Sequence, residues 1–168
     1  VKRILLLSDT HSHIDDRIMN FVEAADEVWH AGDIGDLSVT DRIAEKVTLR
    51  AVYGNIDNHK ARAEYPLVNC FVVEGLKVFI THIGGYPGRY APGVKDQLAK
   101  EKPGLFISGH SHILKVKFDK DLNLIHMNPG AAGIHGFHSM RTMLRFEVHK
   151  GKVENLEVIE LGKRGSIK

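Results

Sequence analysis

The chain has 168 residues, 43% of them hydrophobic, enough to fill one core, and no break in composition divides it, so a single domain over residues 1–168 is expected. A net charge of +2, with basic residues dispersed apart from Lys163-Arg164, outlines no nucleic-acid groove, and no apolar run approaches the roughly 20 residues of a membrane span. Cys70 is the sole cysteine, which excludes an internal disulfide and fits a reducing compartment, and Ile4–Leu7 is too short for a signal-peptide core, so the expected location is cytoplasmic.

Lys2 to Ser8 reads as a buried strand, and Asp15 or Asp16 can cap a helix whose apolar face includes Ile18, Phe21, Val22 and Ala25. Glu27 to His30 reads as a second strand, Ser38 as the cap of a helix to Lys46, and Val47 to Tyr53 as a third strand. This βαβαβ alternation predicts parallel pairing. Cys70 to Glu74 and Leu76 to Thr81 then read as a hairpin turning at Gly75, followed by a Gly/Pro-rich loop from Gly84 to Gly93 and a helix from Val94 to Lys100. The remaining runs, Gly104–Ser108, Ile113–Phe118, Leu122–Met127, Met140–Val148 and Val153–Ile159, are read mostly as strands, a second sheet is expected, and the polar tail after Leu161 is expected to fray.

Polar residues of one chemical kind close five of the apolar runs. These are Asp9-Thr10-His11, Gly32-Asp33, Gly54-Asn55, Thr81-His82 and Gly109-His110-Ser111-His112. Strand tips that deliver carboxylate, amide and imidazole groups to one sheet edge build a site where open α/β folds bind ligands. Asp9 and His11, two apart, share a side in an extended segment and can chelate one ion; His110 and His112 are related in the same way. Asp33 has two oxygens with which to bridge ions about 3.5–4 Å apart, Asn55 adds a neutral oxygen and His82 a nitrogen. Two divalent ions, two carboxylates and a bridging hydroxide leave a small positive charge, which suits an anionic phosphate. A donor set of nitrogen and oxygen without thiolate suits manganese, the first expectation, or nickel, iron or zinc. Taken singly, a strand-end His is more often a core residue and an Asp before a helix a cap. Seven such residues at successive strand ends argue for metal binding.

The ordered motifs Asp9-x-His11, Gly32-Asp33, Gly54-Asn55, His82 and Gly109-His110-x-His112, with Asn128-Pro129-Gly130 following, resemble those of the calcineurin-like metallophosphoesterases. Within them the chain is similar to the small bacterial and archaeal phosphodiesterases typified by YfcE. The resemblance implies an α/β fold, an αββα four-layer sandwich of two mixed sheets flanked by helices. It implies Asp9, His11, Asp33 and His112 on one metal, and Asp33, Asn55, His82 and His110 on the other. Many members of the family carry a His directly after the Asn, where it helps protonate the leaving group; here that position is Ile56. A positioned acid contributes about 10²–10⁴-fold, so its loss favours good leaving groups or calls for another donor. His138 is the first candidate, with His135 beside it, and Arg141 is a candidate phosphate ligand.

The expected activity is therefore that of a metal-dependent phosphodiesterase with catalytic residues Asp33, Asn55 and His138, acting on a small phosphate ester by in-line attack of a hydroxide bridging two divalent metals. A phosphomonoesterase is the alternative among enzymes. A scaffold that binds proteins, as Vps29 does on this fold, is the alternative outside them. The resemblance also allows a homo-oligomer.

Overall fold

In chain order the strands are β1 (Lys2–Leu7), β2 (Glu27–His30), β3 (Thr48–Ala51), β4 (Val68–Val73), β5 (Leu76–Thr81), β6 (Gly85–Tyr86), β7 (Arg89–Tyr90), β8 (Leu105–Ile107), β9 (Leu114–Asp119), β10 (Leu124–Pro129), β11 (Met140–His149) and β12 (Lys152–Lys163). The helices are α1 (Asp16–Glu23), α2 (Ser38–Ala44), α3 (His59–Glu64) and α4 (Val94–Glu101). The structure is a computed structural model that describes residues 1–166.

The first strand sets the layering. Successive side chains of a strand point to opposite faces, and in β1 Ile4 and Leu6 enter one cluster while Leu5 and Leu7 enter another, all four buried. A strand apolar on both faces needs cover on both. On one side Ile4 and Leu6 join Trp29, Leu144 and Phe146 against Val78, Ile80, Leu105 and Ile107 of the other sheet. On the other side Leu5 and Leu7 meet Ile18, Met19 and Val22 of α1 and Val39 and Ile43 of α2. The second sheet is covered in turn by α4, whose Val94 and Leu98 pack on Phe79 and Phe106. At about 1.5–3 kcal/mol for each large apolar side chain buried, these three clusters carry the fold.

The first sheet runs β12-β11-β1-β2-β3 and the second β4-β5-β8-β10-β9. β1, β2 and β3 are parallel, as their alternation with helices predicts, and β11 enters antiparallel beside β1. β5 and β8 are parallel to each other, while β4 forms the expected antiparallel hairpin with β5. Both sheets are mixed and helices flank them, which is the α/β sandwich expected from the motifs.

Three details differ from the sequence reading. The segment after Asn55 holds α3, capped by Asn58, whose side chain accepts from Lys60 N and Ala61 N. The loop from Gly84 to Gly93 contains the β6–β7 hairpin. The chain after Leu161 stays in β12 to Lys163, because Met140 pairs with Lys163, and continues as a 3₁₀ turn over Arg164–Ser166. Ile167 and Lys168 lie outside the described residues. Among the described residues, no helix is long and apolar enough to cross a membrane.

Candidate metal centre

The tips of β1, β2, β3, β5 and β8 meet at one edge of the sandwich. There the backbone leaves the extended conformation. Asp9, His11, Asp33, His110 and His112 all have positive φ, at 53°, 44°, 56°, 71° and 62°, a region that costs most L-residues free energy but admits Asp and His more readily than branched ones. The expectation that Asp9 and His11, and likewise His110 and His112, converge by strand alternation is therefore corrected. The loop after β1 is instead clamped to the loop after β2 by Asp9 N to Gly32 O (2.9 Å), His11 N to Asp33 O (3.0 Å) and Ser12 N to Ile34 O (2.8 Å). Gly54 and Gly109 allow the other loops to close in. A Cβ at Gly54 would lie 2.1 Å from Asp33 Oδ1, and one at Gly109 2.3 Å from Ser8 Oγ and 3.0 Å from Asp9 Oδ2.

Two groups result, Asp9 with His11 and His112, and Asp33 with His82 and His110, the candidate ligand atoms of each lying within 4.8 Å of one another. His112 Nε2 is 3.2 Å from Asp9 Oδ1. Asp33 Oδ2 stands 3.4 Å from His11 Nε2 and 3.2 Å from His82 Nε2, so this one oxygen faces both groups, while Oδ1 accepts from Ile56 N at 3.1 Å. Asp9 is tied in the same manner, its Oδ2 accepting from Ser8 Oγ at 2.7 Å and His110 N at 3.1 Å. Asn55 joins the second group through Oδ1, 3.1 Å from His110 Nδ1. Asp9 Oδ1, His11 Nε2 and His82 Nε2 are buried and have no hydrogen-bond partner. Buried polar atoms are rarely left so, and carboxylate oxygens and imidazole nitrogens that converge in this way fit a cation.

The match to a known family is equally direct. Residues 3–151 match the family profile "Calcineurin-like phosphoesterase superfamily domain". The chain belongs to the calcineurin-like phosphoesterase superfamily. Among solved structures it is similar to a Thermotoga maritima protein at 28% identity and a TM-score of 0.70, covering 96% of this chain and 100% of that one. It is similar to a predicted phosphoesterase of Streptococcus pneumoniae at 22% identity and 0.66, covering 95% and 97%. It also shares its fold with wild-type Vps29 of Entamoeba histolytica in complex with Zn²⁺, at 15% identity and 0.71, covering 94% and 98%. No curated protein matches the chain by sequence.

The phosphoesterase centre rests on side chains that hold its loops. His82 Nδ1 donates to Ala31 O at 2.7 Å, which leaves Nε2 bare toward the carboxylates. His30 links the first two loops: Nδ1 accepts from Gly32 N at 3.1 Å and Nε2 donates to Thr10 Oγ1 at 3.0 Å. Asp57 closes the turn at Gly54 N (2.7 Å) and reaches Ile34 N and Gly35 N, so it braces the loops. Asn128 Nδ2 donates to Gly109 O at 3.0 Å and Ser111 Oγ at 3.1 Å, shaping the turn that carries His110 and His112. His13 turns away to Asp15, 2.8 Å from its Nε2.

Two sequence expectations need correction here. His138 has both ring nitrogens engaged: Nε2 donates to Gly133 O at 2.9 Å, and Nδ1 faces His112 Nδ1 at 3.2 Å. The carbonyl can only accept, so His138 Nδ1 is left to accept from His112, which turns His112 Nε2 toward Asp9. His138 therefore stands behind a candidate ligand, with both ring nitrogens taken. Arg141 is buried, with Nε on Ala132 O at 2.9 Å and Nη2 on Asp15 Oδ2 at 3.1 Å, and ties β11 to the cap of α1; it does not reach the site. His135 lies against the His11 ring with centroids 4.8 Å apart.

Charge is tightly coupled across the centre. Burial pushes the Asp9 and Asp33 carboxyls up, but the imidazoles that face them, His11, His112 and His82 around Asp9 and His11 and His82 beside Asp33, outweigh it and hold both well below the usual carboxylate range. Asp33 and then Asp9 push His11 up to about 9 against burial. Burial lowers His82, yet the same carboxylates leave it raised. A cation that entered would displace these protons.

Proposed function

We propose that the protein is a metal-dependent phosphodiesterase that hydrolyses small phosphate esters by in-line attack at phosphorus. The reading is carried by two carboxylate–imidazole groups that share Asp33 Oδ2 and contain buried, unpartnered Asp9 Oδ1, His11 Nε2 and His82 Nε2. Asp9, His11 and His112 with Asp33 would hold one divalent ion, and Asp33, His82, His110 and Asn55 a second. Such ions, when bound, neutralise phosphate oxygens and bring the ionisation of water toward neutral pH. Manganese is the first candidate; the Zn²⁺ complex of the Entamoeba histolytica Vps29 adds support for zinc. His82 and His112 keep their Nε2 atoms directed inward through Ala31 and His138, and Asp33 is fixed through Ile56 N. The Ile56 side chain, 46% exposed, offers no proton to a leaving group. That favours diesters with good leaving groups over monoesters.

The test is hydrolysis of bis(4-nitrophenyl) phosphate and 4-nitrophenyl phosphate by metal-stripped protein, before and after addition of Mn²⁺. Activity that depends on metal and is higher for the diester is expected, with Asp33→Asn lowering it at least about 100-fold. Retention of activity and of both ions in Asp33→Asn would refute the shared ligand. A scaffold like Vps29 is the second reading, favoured by Ile56, Ile113 and Phe137, which stand exposed around the centre. Metal-loaded protein that cleaves neither ester would support it.

A further inference from the structure

Beside the His110 side of the centre lies a cavity of about 400 Å³, continuous with the cleft over the two groups because His110, Ser111 and Ile113 line both. Its size falls in the range of about 300–1,000 Å³ typical of small-molecule sites. Ile83 and Ile113 form apolar sides, and Tyr86, Tyr90 and Pro92 of the β6–β7 segment form the far wall. The formally charged residues that line it, Arg89 and Lys115, are both cationic, and no carboxylate is among them.

The wall is held in place by the protein itself. Gly85 O accepts from Ser108 Oγ at 3.1 Å, Gly84 O from Ala91 N at 3.0 Å, and the Tyr90 hydroxyl donates to Asp119. Lys115 Nζ lies 3.8 Å from the centroid of the Tyr86 ring, which joins the hairpin to β9. A pocket shaped in advance takes a ligand with little ordering cost.

We propose that this cavity receives an aromatic ester group of a phosphodiester while the phosphate lies over Asp9, Asp33 and their imidazoles; the proposal rests on the phosphodiesterase reading. Apolar walls suit the faces of a ring, Tyr86 and Tyr90 offer edges and faces for offset contact, and the two cations attract π density and disfavour a cationic group. A methyl ester would leave the cavity without apolar contact. Tyr86 and Ile113 are thus specificity-determining residues.

Phenylphosphonate and methylphosphonate carry the same anionic head and differ in the ring, so their binding to Zn²⁺-loaded protein, measured by isothermal titration calorimetry, isolates the cavity. Phenylphosphonate is expected to bind at least about tenfold more tightly, and Tyr86→Ala or Ile113→Ser to shrink that ratio to about threefold or less. Phe137→Ala, on the opposite rim, is expected to preserve it. Equal affinities in the wild type, or a ratio that survives Tyr86→Ala and Ile113→Ser and collapses in Phe137→Ala, would overturn the proposal. Turnover of bis(4-nitrophenyl) phosphate by the same preparations separates the two readings. Turnover with equal phosphonate affinities removes the cavity alone, whereas the predicted ratios without turnover sustain the cavity and remove the phosphodiesterase.

Discussion

Each carboxylate of the centre ties one oxygen to protein donors and keeps the other for the cleft: Asp9 Oδ2 to Ser8 and His110, and Asp33 Oδ1 to Ile56. The imidazoles follow the same division, with the far nitrogen of His82 on Ala31 and that of His112 on His138. His138→Ala would free the His112 ring to turn. Metal affinity, read by titration against a chelator, should fall about 10–100-fold, with turnover reduced by the same factor for good and poor leaving groups. A loss confined to poor leaving groups would restore His138 to the part of proton donor. The candidate ligands were legible in the sequence because their residue types recur at the ends of apolar runs. The residues that aim them were not. His30 lies inside an apolar run and Arg141 reads as a phosphate ligand, because the contacts that reveal their parts lie far along the chain, Thr10 for the first and Asp15 for the second.

Among the elements, long apolar runs declared themselves, and β1, β2, β5 and β8 fall where the pattern placed them. The short ones did not. Six-residue α3 and the two-residue strands β6 and β7 hold too few residues for a period to show, and depend on the Asn58 cap and on packing against Phe106. The conformation of the tips was also hidden, since a positive φ at Asp or His leaves no mark in composition. What composition does show is glycine before the polar residue, and the structure gives the reason at Gly54. An added methyl would lie 2.1 Å from Asp33 Oδ1 and 2.4 Å from Asp33 N, so the loops after β2 and β3 would have to part. Gly54→Ala is therefore expected to lower unfolding stability by about 1–3 kcal/mol and to reduce turnover, with denaturant melts and the diester assay as readouts. An unchanged melt with unchanged turnover would show that the loops yield freely.

At the scale of the molecule, buried histidines set the response to pH. Burial depresses His30 and His126 to about 4, from the ordinary 6.5, so both must be neutral in the fold. Their contribution is fully present above about pH 6.5 and is lost as pH falls through 4, on the order of 3 kcal/mol each when complete. His11, raised to about 9 in the metal-free protein, works the other way: its contribution is present below about 6.5 and is lost as pH rises through 9. The melting temperature of metal-stripped protein should therefore peak near pH 6.5–7 and decline on both sides, the acid limb flattening in His126→Gln. A melting temperature that is constant from pH 7 to 4 would refute the acid limb.

Both groups of the centre also straddle the two sheets, with Asp9, His11 and Asp33 on loops of the first, and His82, His110 and His112 on loops of the second. The order of the chain separates them as well. The carboxylates lie within its first 33 residues, whereas the histidines that complete each group stand at 82, 110 and 112. A ribosome that has delivered the early strands has therefore delivered the acids with His11 but without the imidazoles of the second sheet. A nascent chain cannot complete the second group before His110 has emerged, nor the first before His112, so any metal they capture waits until most of the sandwich is available to receive it.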